Sequence, residues 1–140
     1  MQAAFLEALK SHRKGGIPIG SVLVKNNRII GRGHNQRVQR QNPILHAEID
    51  CLQNAGRIEN YRGTTLYSTL MPCYLCAGAV VQFGIQNVVA GESKSFSGAK
   101  KFMQSHHVKV IDLDLDECKS LMNEFIQKNP HLWSEDIGRH

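Results

Sequence analysis

The chain is short of aromatic side chains, which make up 6% of its 140 residues and include one tryptophan, Trp133. None is interleaved with its basic residues into a platform on which bases could stack. Lys10, Arg13 and Lys14 lie early, Arg32, Arg37 and Arg40 share one segment, and Lys100 and Lys101 come later. The net charge of +5 is therefore read as surface solvation, and nucleic acid is not an expected partner. No apolar run approaches the roughly 20 residues that a membrane helix needs, so a membrane partner is not expected either. The N-terminus shows no signal-peptide pattern, and an intracellular, cytoplasmic setting is the expectation. There is no repeat, linker or low-complexity stretch, and the length suits one domain over residues 1–140. Cysteines number only four, Cys51, Cys73, Cys76 and Cys118. In that setting an even count does not imply disulfides. Cys51 and Cys118 fall in helical apolar patterns and read as free buried thiols.

The elements present alternate between strand and helix. Residues 2–11 pattern as an amphipathic helix with Phe5, Leu6, Ala8 and Leu9 on one side. Ser21–Val24 and Ile29–Gly31 read as strands around the turn pair Asn26-Asn27. A polar loop follows over 35–45. A helix from His46 to about Ala55 is closed by Gly56, and Thr64–Ser68 is a strand. Cys73–Phe83 is a helix stopped by Gly84, and Asn87–Gly91 a strand. After a loop containing Phe96 come a short helix near 99–104, a strand over 108–111 and a helix over 114–129 ended by Pro130. The segment 130–140 reads as a separate covering tail. This order predicts a layered α/β domain with a mixed sheet.

Two motifs carry chemistry: His46-Ala47-Glu48 and Pro72-Cys73-Tyr74-Leu75-Cys76. Two cysteines three apart at a helix start point the same way and can share a metal. Their thiolates gain from the helix N-terminus. His46 adds a third ligand from a second helix. Three protein ligands leave one tetrahedral position open, the arrangement of a catalytic zinc, and one Zn²⁺ per chain is expected. Zinc brings the pKa of a bound water to about 7. Glu48, two residues after a ligand, is placed to move that water's protons without binding the metal. Either motif alone is weak, whereas their combination is specific.

His-x-Glu followed by Pro-Cys-x-x-Cys is the signature of zinc deaminases acting on cytosine or adenine. On these residues the chain resembles the cytidine/cytosine deaminase superfamily, and within it the fungal-type deaminases of the free base. The likeness extends to Gly16–Gly20, Gly31-Arg32-Gly33-His34-Asn35, Thr64–Tyr67 and the tail Trp133-Ser134-Glu135-Asp136-Ile137-Gly138. The resemblance implies a three-layer α/β/α fold with a central five-stranded sheet, a homodimer, and a small-molecule nucleobase substrate, cytosine, in pyrimidine salvage. It implies zinc on His46, Cys73 and Cys76 and a proton shuttle at Glu48. Asn35 would bond the pyrimidine edge, Asp136 would contact the base, and Phe96 and Trp133 would wall the pocket together with Ala47, Leu70 and Met71. Met71 stands where the family usually has Ser, Ala47 where it has Gly, and Ser134 where it has an aromatic.

Guanine, isoguanine or a nucleoside would use His46, Glu48, Cys73 and Cys76 unchanged. A zinc-stabilised RNA-binding module is the reading from another class, and the intact Glu48 argues against it. A free base carries an N1–H that a nucleoside lacks, so an aspartate acceptor aimed there would select the base. His34, His106 and His107 lack ligand spacing and read as structural or surface residues.

Overall fold

The computed structural model describes residues 1–139; His140, the last residue of the expected tail, lies outside the described residues. The elements are α1 (Gln2–Arg13), β1 (Gly20–Lys25), β2 (Arg28–His34), α2 (Ala47–Ala55), β3 (Thr64–Ser68), α3 (Tyr74–Phe83), β4 (Asn87–Ala90), α4 (Lys100–Ser105), β5 (Lys109–Asp112), α5 (Asp116–Lys128) and α6 (Pro130–Asp136). The strands form one five-stranded sheet in the order β2-β1-β3-β4-β5. β1 runs antiparallel to β2 and β3, while β3, β4 and β5 are mutually parallel. The expected mixed sheet between helical layers is what forms.

Strand alternation sorts the helices onto two faces. A Cβ on Gly20 would collide with α1, and one on Gly91 with Cys118 of α5, so those helices cover one face. On the other, Leu23, Leu66, Val88 and Ala90 meet Cys51 and Leu52 of α2, Ala77 and Val80 of α3, and Met103 of α4. Full burial of a side chain such as Leu23 or Leu66 contributes about 1.5–3 kcal/mol. Gly33 lets α2 approach β2 closely, because a Cβ there would lie 2.3 Å from the Cys51 nitrogen. Asn26 and Asn27 both take positive φ, 51° and 60°, the left-handed pair that a type I′ hairpin turn requires.

Three expectations change. The core-facing stripe of α1 is Ala4, Glu7, Ala8 and Ser11, with Leu6 56% exposed. Glu7 is buried because it receives Arg32 Nε at 3.1 Å and faces His34 Nδ1 at 3.4 Å. Helix α5 begins at Asp116 because Asp114 is left-handed, its N–H donated to the Asp112 carboxylate at 2.9 Å. The tail is helical over Pro130–Asp136. Pro130 does more than end α5: it occupies the first turn of α6, where a missing N–H costs nothing. Cys51 and Cys118 are buried and free.

Candidate active site

Two helix starts and two strand ends converge at the His46-Ala47-Glu48 and Pro72–Cys76 motifs. His46 is the N-cap of α2 and Cys73 the N-cap of α3, both with extended backbone and neither making a side-chain cap bond. Their side chains are thereby free to meet: Cys73 Sγ lies 3.4 Å from His46 Nδ1. The ligand atoms of His46, Cys73 and Cys76 all fall within 4.8 Å of one another, and no fourth His, Cys, Asp or Glu joins the group among the described residues. The parallel strands β3 and β4 end beside them, the edge at which α/β sheets hold ligands.

The charges of the group match a metal site. The Cys73 thiol is lowered to about 4, first by its hydrogen bond with Cys76 and then by His46. Cys76 is held well above its ordinary value by burial and by that same shared bond. For His46, burial opposes charge, but the bond with Cys73 and the nearby Asp136 prevail and raise it. Two thiols and an imidazole thus share protons that a divalent cation displaces on binding, and the N/S donor set fits zinc. Glu48, 4% exposed, has its carboxyl raised by burial and by the Cys73 thiolate, against bonds from Cys76 and Ser68. Ser68 Oγ donates to Glu48 Oε1 at 3.1 Å.

A small cavity opens onto this group, lined in part by Ile19, Asn35, Ala47, Leu70, Met71 and Phe96. Glu48 and Asp136 reach it too. Trp133, expected as a wall, is not among the lining residues. It packs edge-on behind Phe96, at 6.0 Å and 88°, within the second core cluster. The reason is that α6 turns the indole toward α5 and Leu70.

At one side of the cavity, Asn35 Nδ2 and Asp136 Oδ1 are both buried without a hydrogen-bond partner. The Asn35 amide approaches Asp136 closely enough to favour its ionised form, while burial pushes that carboxyl up and His46 and Arg37 pull it down. Asp136 Oδ1 is met only by ionic contacts, from Arg37 Nη1 at 3.4 Å and His46 Nε2 at 3.8 Å, so a buried donor and a buried acceptor with bonding capacity to spare stand at one side of the cavity. Sequence reasoning missed three residues here. Ser68 ends β3 and Glu92 follows β4, and position at a strand's carboxyl end was the available signal. Arg37, two residues after Asn35, is the third.

Residues 1–92 match the family described as the cytidine and deoxycytidylate deaminase zinc-binding region. The chain belongs to that family. A cytosine deaminase from Candida albicans is 43% identical over 99% of this chain and 94% of its own length. A tRNA-specific adenosine deaminase from Streptococcus pyogenes is 39% identical over 91% of the chain and 88% of that protein. A solved structure from work on A-to-I editing by tRNA:A34 deaminases aligns with a TM-score of 0.68 and 31% identity, covering 80% of this chain and 95% of that one. The deaminase assignment makes the chain an enzyme and explains why its polar groups gather at the helix starts. Leu70 and Met71 lie between β3 and α3, where Met71 N–H donates to the Glu92 carbonyl at 2.8 Å. No helix of the described residues is long and apolar enough to cross a membrane.

Proposed function

We propose that this deaminase converts free cytosine and water to uracil and ammonia, with one zinc held by His46, Cys73 and Cys76. The observation that carries the reading is a pair on one cavity wall: Asn35 Nδ2, buried without a hydrogen-bond partner, and Asp136 Oδ1, buried and met only by the longer ionic contacts of Arg37 and His46. Free cytosine offers the complementary edge: a carbonyl O2 that accepts from Asn35 and an N1–H that donates to Asp136. That orientation turns C4 and its amine toward Glu48 and the ligand group. When bound, zinc supplies activated water at its open position. Water oxygen adds to C4 as Glu48 takes one water proton and passes it to ring N3. Glu48 then takes the remaining proton from the new C4 hydroxyl and gives it to the amine, so that the C4–N4 bond breaks and ammonia leaves as the C4 oxygen becomes the uracil carbonyl. Ser68 orients the Glu48 carboxylate, and Phe96, Leu70 and Met71 exclude bulk water from the ring.

Similarity to the Candida albicans cytosine deaminase over nearly both full lengths supports this substrate. The adenosine-in-tRNA reading rests on the Streptococcus pyogenes relative. Against it we set Asp136 of α6, whose side chain is 6% exposed and which, in the proposed orientation, faces N1, the atom that bears the ribose in cytidine. The proposal extends to a cytoplasmic homodimer serving pyrimidine salvage. Ile44, Tyr74 and Leu75, 57%, 70% and 44% exposed beside the ligand loops, offer apolar surface for a second copy. Ammonia release from cytosine, cytidine, guanine, isoguanine and a tRNA anticodon stem tests the substrate; turnover confined to the RNA would overturn it. Light scattering that reports a monomer at micromolar concentration would remove the dimer.

A further inference from the structure

Arg37 touches both members of the recognition pair, through different parts of the residue. Its backbone N–H donates to Asn35 Oδ1 at 3.0 Å. With the amide oxygen so engaged, the free end of Asn35 is Nδ2, the unpartnered donor at the cavity. Its guanidinium reaches across to α6, with Nη1 3.4 Å from Asp136 Oδ1 and Nη2 3.7 Å from Glu135 Oε1. The same side chain donates from Nε to the Pro43 carbonyl at 3.0 Å, so its own position is fixed by the 35–45 loop. Its side chain is only 11% exposed, which places the Asp136 contact out of bulk solvent.

Asp136 needs such a hold. It stands in the last turn of a helix of only seven residues. His46 Nε2 is its other cationic neighbour at 3.8 Å, but that ring belongs to the ligand group. Arg37 is therefore the one lysine or arginine, among the described residues, that pairs with Asp136. A planar guanidinium anchored by a backbone carbonyl restrains a carboxylate in direction as well as distance, which an ammonium on a flexible stem does not.

We infer that Arg37 is the specificity-determining positioning residue of this enzyme: one residue sets the spacing between the Asn35 donor and the Asp136 acceptor, and so matches the pair to the edge of a free base. This rests on the free-base reading above. Arg37 does not touch the ring; it acts through Asp136 by its side chain and through Asn35 by its main chain. The two routes are separable, because Arg37→Ala removes the guanidinium and keeps the N–H.

The test is a double-mutant cycle between Arg37→Ala and Asp136→Ala, with KM and kcat measured on cytosine and zinc content and circular dichroism as controls. Arg37→Ala is expected to raise KM about tenfold or more, the scale of a lost interaction with a charged group, with kcat held within about threefold. Adding Arg37→Ala to Asp136→Ala is expected to change KM by less than about twofold. Arg37→Lys is expected to recover only part of the loss. Calorimetric binding of cytosine to Glu48→Gln, with and without Arg37→Ala, reads the same effect without turnover. Multiplicative effects in the cycle, full recovery by lysine, or a fall in kcat at unchanged KM would overturn the inference. If Arg37→Ala does not fold, Arg37→Gln takes its place in the cycle. If the parent enzyme acts on another ring, the substrate reading fails, and the coupling of Arg37 to Asp136 is measured on that ring.

Discussion

Ser68 Oγ donates a 3.1 Å hydrogen bond to Glu48 Oε1, joining the end of β3 to the first turn of α2. The bond restrains the carboxylate that is proposed to move protons. Glu48→Gln is expected to retain zinc and lose about 10²–10⁴-fold in kcat. Ser68→Ala should lose less, about tenfold, because the carboxylate remains but is less well aimed. Steady-state kinetics with metal analysis decide it, and a glutamine variant within tenfold of the parent would refute the role of Glu48.

Metal removal should uncover one fast-reacting thiol. Burial pushes both Cys51 and Cys118 up to about 12, so neither reacts appreciably at pH 7 while the chain is folded. Cys73 is partly exposed and lowered to about 4, so without metal it is a thiolate at that pH. Chelated protein is expected to label first at Cys73, and zinc-loaded protein to resist. Equal labelling before and after chelation would contradict the assigned ligands.

Selectivity is expected to follow Asp136. Its replacement by alanine leaves the N1–H of a free base without an acceptor, at a cost of about 1–3 kcal/mol. Activity on cytosine should fall roughly 5–150-fold in kcat/KM, while activity on cytidine should hold or rise. An unchanged ratio between the two substrates would remove Asp136 from recognition.

Glu92 joins two cavity walls. Its carbonyl accepts the Met71 N–H at 2.8 Å, and its fully buried carboxylate accepts the Ser95 N–H at 2.9 Å beside Phe96. Glu92→Ala leaves that N–H without a partner and should cost about 1–3 kcal/mol. A urea midpoint equal to that of the parent would show that the loop does not depend on the carboxylate.

The ligand group was legible because each motif coincides with a punctuation mark of the chain. His46 follows a polar loop, and Cys73 follows Pro72, so both fall where helices must begin. The sheet was legible from β-branched runs between glycines. Leu6 faces outward against its pattern because periodicity weighs hydrophobicity alone, and Glu7 takes the inward place through Arg32 and His34, 25 and 27 positions away by sequence number. Helix α6 was illegible because it has only seven residues and opens on a proline that also closes α5. Resemblance alone points Trp133 at the cavity, and the direction of α6 sends it behind Phe96. Arg37 and Glu92 look like ordinary loop charges until the fold brings their partners to them.

The hairpin turn at Asn26-Asn27 has a practical use. β1 pairs Gly20 with His34 at the cavity end and Lys25 with Arg28 at the turn end. Along β1 the two ends stand about 17 Å apart. Both asparagines are exposed, and neither side chain makes a hydrogen bond within the described residues. A fluorescent reporter, an affinity peptide or new chain ends could be spliced in there with the cavity at arm's length, making this turn the natural handle by which to build the enzyme into larger assemblies.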